Sequence, residues 1–170
     1  MKKVLFLLGH LTDLDIEWMI HNGSKKSLKN DQELISKGQE IENIYIILSG
    51  KLAITDGKHE IASIGPGEIV GEMSFLESRA PSVSVVASED SVVYSISREV
   101  MNQKLDTDVE FRSNFYYSLA LFLSNRLRKT TNKLGYESPE EEDMIDTNVL
   151  DGVAQAGARF SQILNKFSEV

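Results

Sequence analysis

The sequence predicts a mainly β fold with flanking helices. From residue 33 onward the chain is rich in β-branched residues and is interrupted by glycine at short intervals, as in "ELISKGQEIENIYIILSGKLAITDGKHEIASIGPGEIVGE". This pattern is typical of about six to eight short strands, which close most naturally as a sandwich, a barrel or a jelly roll. On both sides of this segment apolar residues recur at helical spacing, so helices are expected to precede and follow the strands.

The first apolar positions fall within residues 4–22. Leucine and isoleucine recur there at helical spacing, at Leu5, Leu8, Leu11, Ile16 and Ile20. The spacing predicts one or two short helices, with Thr12 or Asp13 as the N-cap. The apolar run 4–8 ends at Gly9 and is too short for a signal core or a membrane span. We therefore expect it to be buried in the domain.

Two hairpins are predicted within the β segment. Asp56 and Gly57 separate "KLAIT" from "KHEIASI", and this dipeptide is typical of a two-residue turn because glycine adopts positive φ freely. Farther along, "SVSVVA" and "SVVYSIS" flank "SED" and are expected to form a second hairpin.

Beyond Arg98 the pattern becomes helical, with a short helix over 100–105 and a long one over 109–134. The long segment has two apolar stripes. One has heptad spacing and comprises Tyr116, Ala120, Leu123, Leu127, Thr130 and Leu134; the other comprises Phe111, Phe115, Leu119 and Phe122. The helix could lie on its own β domain or pair with its copy in a second subunit. Two apolar faces need two partners, so we expect both, and hence a homodimer.

The C-terminal part divides into an acidic stretch and a second amphipathic segment. Residues 135–148 include "ESPEEEDMID" and are predicted to form an acidic linker, with an ordered acidic loop as the alternative. Residues 149–170 are predicted to form an amphipathic tail helix that must dock on something. The long helix, the β domain, a partner subunit and another protein are all open, and we expect the tail to bind a partner protein.

Composition excludes several classes of partner. Lys and Arg number 18 against 26 Asp and Glu, a formal charge of -8, so we expect binding to neither nucleic acid nor a membrane surface. Cysteine is absent, which favours a reducing compartment and therefore the cytoplasm.

The stretch "GEIVGEMSFLE" carries the most distinctive chemistry. Gly71 lets a ligand approach the backbone, and a helical turn opening at Met73 would present unpaired amides that attract an anion. Glu72 beside them can accept a hydrogen bond from a sugar hydroxyl. Phosphate and ribose could thus share one pocket, although a glutamate in such a pair is more often a surface acid or a cap.

Four pieces of the chain carry a family resemblance: "KGQEIENIYIILSGKLAI", "GPGEIVGEMSFLE", "PSVSVVASEDSVVYSIS" and "SNFYYSLALFLSNRLRKT". With them, residues 11–134 resemble the cyclic nucleotide-binding domain of catabolite activator proteins, regulatory subunits of cAMP-dependent kinase and cyclic-nucleotide-gated channels. The resemblance implies an eight-stranded β-roll (a double-stranded β-helix or jelly roll) over about 25–98 and a domain spanning 1–134. It also suggests a bacterial stand-alone member.

The resemblance implies a set of ligand-binding residues. Glu72, after Gly71, would take the ribose 2′-hydroxyl, while the amides of Met73 and Ser74 would help to bind the cyclic phosphate. The family then has an arginine nine residues after the glutamate, a position that Pro81 occupies here. Arg79, two positions earlier, could reach the phosphate or merely pair with Glu77. The following Ser82 and Val83 complete the set implied for the ligand.

The histidines and the tail bear on the remaining function classes. The three histidines, His10, His21 and His59, are too scattered for the metal site of a jelly-roll enzyme, and no nucleophile set emerges, so neither an enzyme nor a metal site is expected. The tail after residue 134 begins with acids, which argues against a DNA-binding domain. We expect a non-enzymatic module that senses cAMP, cGMP or a similar ligand and needs no cofactor, or else a dimeric adaptor with an empty pocket.

Overall fold

The computed structural model describes residues 10–135 and 162–170. Within these ranges, eight strands form two four-stranded antiparallel sheets, which confirms the predicted eight-stranded β-roll. The strands are β1 Gly23–Leu28, β2 Glu33–Ile35, β3 Asn43–Ser49, β4 Leu52–Thr55, β5 Glu60–Ile64, β6 Ile69–Val70, β7 Ser84–Ala87 and β8 Ser91–Ser97. The order is β1-β8-β3-β6 in the first sheet and β2-β7-β4-β5 in the second.

The hairpin at Gly57 is confirmed, but its turn is longer than predicted. Strands β4 and β5 pair antiparallel, with a register shift between Ile54 and Thr55, and the loop between them comprises residues 56–59. The Asp56 carboxylate accepts hydrogen bonds from the amides of His59 and Lys58, each at 2.8 Å. These bonds lower the pKa of Asp56. The carboxylate therefore stabilises a four-residue loop in place of the two-residue turn.

The second predicted hairpin is wrong. Strand β7 pairs with β2 and β4 in the second sheet, whereas β8 pairs with β1 and β3 in the first. The connection carries the chain from one sheet to the other and is held by Lys51, whose carbonyl accepts from the Ser88 amide at 2.8 Å. Alternation and a polar break indicate two strands, but they do not show whether the strands pair with each other.

The first sheet separates two apolar cores because successive side chains of a strand point to opposite faces. Tyr45, Ile47 and Val93 face the inside of the roll, where they pack with residues of the second sheet. Ile44, Ile46, Tyr94 and Ile96 face outward and pack against the helices. The roll interior and the helical layer therefore share one sheet.

Within residues 10–135, four helices surround the roll: α1 Asp13–His21, α2 Glu72–Glu77, α3 Arg98–Thr107 and α4 Val109–Lys133. Thr12 is the N-cap of α1, in a reciprocal capping box with Asp15. Asp108 caps α4 by accepting from the Phe111 amide at 2.9 Å. Its ion pair with Lys104 and this capping bond lower the pKa of Asp108.

The two stripes of α4 lie in different environments. The stripe of Phe111, Phe115, Leu119 and Phe122 is buried in the outer core, as predicted for a helix lying on its own domain. Of the heptad stripe, Leu127 and Leu134 are each 68% exposed and Tyr116 is 41% exposed, while Leu123 packs partly against the core. The heptad stripe thus has an apolar surface that the described residues leave uncovered at those three positions.

The end of the tail docks on its own chain. Residues 162–169 are helical, and Ile163 and Phe167 are buried in the outer core. The Phe167 ring meets Tyr94 edge to face, with centroids 4.8 Å apart, and Lys25 Nζ donates to the Ser168 carbonyl at 2.7 Å. Of the docking sites left open by the sequence, the described part of the tail therefore occupies the helical side of the β domain.

Three predictions fall outside the described residues. They are the burial of the apolar run 4–8, the acidic linker except for Gly135, and the first part of the tail helix. In the two described ranges, no helix combines the length and the apolar character that a bilayer crossing requires.

Candidate functional site

A cavity of about 870 Å³ lies between the second sheet, α2 and α4. Its apolar wall comes from the roll and includes Ile35, Ile54, Ile64 and Val85. Polar residues of α2, of the segment 79–83 and of α4 form the rest of the lining. An apolar wall facing a few converging polar groups is typical of a small-molecule site.

Gly71 positions the acidic side of the cavity. It has φ +88, which L side chains rarely adopt, and a Cβ here would lie 3.0 Å from the Asn43 carbonyl oxygen. Glycine therefore lets the chain turn from β6 directly into α2 without the backbone strain and the close contact that a side chain would bring. As a result Glu72, Met73 and Ser74 follow the turn at the cavity wall.

Glu72 is buried and paired with the long helix. Its side chain is 4% exposed, and its Oε1 accepts from Arg126 Nη1 at 2.6 Å. Arg126 Nη2 also donates to the Ile69 carbonyl at 3.2 Å, and the guanidinium lies 4.5 Å from the centre of the Phe122 ring. One arginine therefore ties α4 to β6 and to the first residue of α2.

Burial raises the pKa of Glu72 above its ordinary value, because a carboxylate loses solvation when it is enclosed. Arg126 opposes this effect by stabilising the negative charge, as do hydrogen bonds from the backbone. The carboxylate is thus held in the cavity wall chiefly by one cation that comes from a distant part of the sequence.

Arg79 and Pro81 line the cavity just after the end of α2. The Arg79 side chain is 79% exposed, and its Nη1 is 3.8 Å from Glu77 Oε2, so it makes the pair with Glu77 that the sequence left as the alternative. The Pro81 carbonyl accepts from the Gly38 amide at 2.8 Å, which fixes this segment to the loop after β2. Proline offers neither a cation nor an amide to a phosphate.

All seven predicted ligand-binding residues line this one cavity: Gly71, Glu72, Met73, Ser74, Arg79, Ser82 and Val83. Their role in binding stays a prediction. In the part of the chain that the structure describes, no group of three or more His, Cys, Asp or Glu side chains is arranged to hold a metal ion.

Sequence reasoning missed Arg126. A signal was present, because Arg126 continues the buried stripe of α4 four residues after Phe122. An arginine on a stripe that faces the domain needs a buried acid as its partner. Glu72, next to the Gly71 turn, is that acid.

The chain is similar to known proteins. Residues 25–108 match the model of the family described as "Cyclic nucleotide-binding domain". The chain is 24% identical over 111 residues to a cAMP-dependent protein kinase regulatory subunit of Yarrowia lipolytica, which covers 65% of this chain and 30% of that protein. It is also 25% identical over 129 residues to an uncharacterized NTE family protein of Mycobacterium bovis, or 75% of this chain and 22% of that protein. The chain therefore spans less than a third of either relative.

Solved structures show the same fold. A cyclic nucleotide-binding domain from Methylobacillus flagellatus aligns with a TM-score of 0.67 and 22% identity, covering 81% of this chain and 77% of that one. At this level of identity the likeness establishes the β-roll architecture.

Proposed function

Residues 25–108 belong to the cyclic nucleotide-binding domain family, and from this premise we propose that the chain is a non-enzymatic regulatory module that senses a small phosphorylated ligand such as cAMP or cGMP. The ligand would occupy the cavity between the second sheet, α2 and α4. Its presence would be signalled through the C-terminal helices.

The contact between Glu72 and Arg126 carries this proposal. A sugar hydroxyl that donates to Glu72 must share the carboxylate with Arg126 or displace it. Since Arg126 belongs to α4, either event alters the interaction that fastens the long helix to the binding site. A buried ion pair at 2.6 Å thus gives the cavity a direct physical connection to the helix.

Other features of the chain support the partners and the location that we propose. The exposed residues Tyr116, Leu127 and Leu134 support a homodimer through α4, because a heptad stripe of this kind pairs with its copy. The exposed face of the tail helix is the surface on which a partner protein would act. The absence of cysteine supports the cytoplasm.

Calorimetry with cAMP, cGMP and cyclic dinucleotides tests the proposal. We expect one of them to bind, and Glu72→Gln to weaken that ligand about tenfold or more, because a charge-assisted hydrogen bond to the sugar becomes a neutral one. Glu60→Gln is the matched control, since Glu60 is exposed on β5 and does not line the cavity. Equal binding by both variants, or no binding by the unaltered protein, would contradict ligand sensing.

A dimeric adaptor with an empty cavity is the second candidate. It is favoured by Pro81 at the position where the family's arginine is expected, and by the pairing of Arg79 with Glu77. In an adaptor the cavity would be a remnant, and function would depend on the exposed helix faces.

An arginine at position 81 distinguishes the ligand-sensing module from the adaptor. If the site is otherwise intact, Pro81→Arg should tighten cAMP or cGMP binding about tenfold or more, because a guanidinium gives a phosphate charge-assisted hydrogen bonds. Pro81→Ala is the control, since it removes the ring without adding charge. If Pro81→Arg and Pro81→Ala bind either nucleotide equally weakly, the adaptor is favoured.

A further inference from the structure

The position of the family's arginine holds Pro81 in this chain. The nearby Arg79 has a side chain that is 79% exposed, with its Nη1 3.8 Å from Glu77 Oε2. A cation in that setting is screened by water and contributes little to the binding of an anion. A negatively charged phosphate in the cavity therefore needs a cation from another element.

Three basic residues of α4 line the cavity: Arg126, Lys129 and Lys133. Lys133 is exposed, and with a rise of 1.5 Å per residue its Cα lies about 10 Å along the helix axis from that of Arg126. Lys129 has an interaction of its own. Arg126 is the cation that pairs with Glu72, and its side chain is 25% exposed. We therefore consider Arg126 as the source of the cation.

The guanidinium of Arg126 lies beside the segment to which the resemblance assigns the phosphate. Its Nη1 donates to Glu72 Oε1 at 2.6 Å, and its Nη2 donates to the Ile69 carbonyl at 3.2 Å. Met73 and Ser74 directly follow Glu72 and line the same cavity. The cation and the two residues whose amides are expected at the phosphate thus lie at the same turn, from β6 into α2.

Arg126 can bind a second anion without leaving Glu72. A guanidinium carries five N–H donors in a rigid fork, and the contacts of Arg126 with described residues account for one at Nη1 and one at Nη2. A carboxylate has two oxygens, of which Arg126 contacts Glu72 Oε1. A sugar hydroxyl can therefore donate to the other oxygen while the guanidinium donates to a phosphate.

Electrostatics favours a guanidinium between the two anions. Without it, the buried carboxylate of Glu72 and a phosphate in the same cavity would repel each other. A guanidinium that contacts both is attracted to both, and burial reduces the screening by water. The Ile69 carbonyl and the Phe122 ring, whose centre is 4.5 Å from the guanidinium, already hold Arg126 in place. Binding therefore costs little side-chain freedom.

We propose that Arg126 binds the phosphate of the ligand, so that α4 supplies the cation that the family's arginine would otherwise supply at position 81. The inference rests on the proposed sensing function and assigns the residue that neutralises the ligand. Because this cation belongs to the long helix, a bound phosphate would add a contact that fastens α4 to the binding site.

The charge of the phosphate gives a readout that a purely structural role of Arg126 would not change. Calorimetry compares cAMP and cGMP with their methyl phosphotriesters, which keep the base and the sugar but carry no charge. The variants are Glu72→Gln alone and Glu72→Gln with Arg126→Gln, since the first substitution avoids a stranded buried carboxylate. We expect the loss of Arg126 to reduce the preference for the charged ligand about tenfold or more, because charge-assisted hydrogen bonds to the phosphate disappear.

The matched control is Glu72→Gln with Arg128→Gln, because Arg128 is exposed on the same helix and does not line the cavity. It should keep the preference that Glu72→Gln shows. Equal preferences with and without Arg126 would overturn the assignment, while the binding of either nucleotide would keep the sensing function. Failure of cAMP and cGMP to bind the unaltered protein would overturn the assignment together with the sensing of these nucleotides.

Discussion

Replacing Arg126 with methionine is expected to lower the free energy of unfolding by about 3–5 kcal/mol at neutral pH, because it leaves the buried Glu72 carboxylate without its cation. Methionine keeps an apolar stem against the Phe122 ring but donates no hydrogen bond. The Ile69 carbonyl loses a donor in the same step. Urea denaturation of the purified variants measures the change.

Two control variants separate the effect of the Glu72–Arg126 ion pair from other effects of the substitution. Arg128→Met removes a neighbouring cation from an exposed position of the same helix and should change stability by less than about 0.5 kcal/mol. Adding Glu72→Gln to Arg126→Met removes the stranded charge and should restore a substantial part of the loss. If Arg126→Met and Arg128→Met unfold at the same urea concentration, the pair does not hold α4 to the site.

The loss of stability in Arg126→Met should also depend on pH. Burial raises the pKa of Glu72 in the folded protein, and Arg126 lowers it, so removing Arg126 raises that pKa further. Below the ordinary value of 4.5 the carboxyl is protonated in both the folded and the unfolded states, and no charge is stranded. The destabilisation should therefore shrink as pH falls toward 4.5 and be complete above the raised pKa. A loss that is constant with pH would contradict this origin.

The features that could be predicted from the sequence are those encoded by neighbouring residues. The glycine spacing and alternation of the roll are local, and the predicted eight-stranded roll is confirmed. The candidate site residues from Gly71 to Val83 lie within one short segment, so a pattern in that segment placed them around one cavity.

The features that were missed depend on contacts between distant residues. Arg126 meets Glu72 from 54 positions away, and the pairing of β7 with β4 instead of β8 is a choice between sheets. Alternation of apolar and polar residues specifies which face of a strand is buried, but it does not specify which strand pairs with it. For the same reason the sequence left open where the tail docks, since an amphipathic helix shows that a partner exists without identifying it.

Replacing Phe167 with alanine is expected to lower the free energy of unfolding by about 3–5 kcal/mol, the usual range for truncating a buried phenylalanine. The side chain is fully buried and packs edge to face on Tyr94, whose hydroxyl donates to the Ile20 carbonyl in α1. Removing the ring would leave a void between the first sheet and the helices, away from the candidate site. Trp18, the single tryptophan, packs against this core, so its fluorescence during urea denaturation measures the change.

Asn165→Ala is the matched control, because Asn165 is exposed on the same tail helix and alanine slightly favours helix. It should leave the urea midpoint nearly unchanged. Equal midpoints for Phe167→Ala and Asn165→Ala would mean that the tail adds nothing to the stability of the β domain. A large difference would mean that the tail and α4 share one core, since Phe167 and Phe122 belong to the same cluster. The tail would then lose part of its packing if α4 left the roll, and this is the connection that the proposed signalling through the C-terminal helices requires.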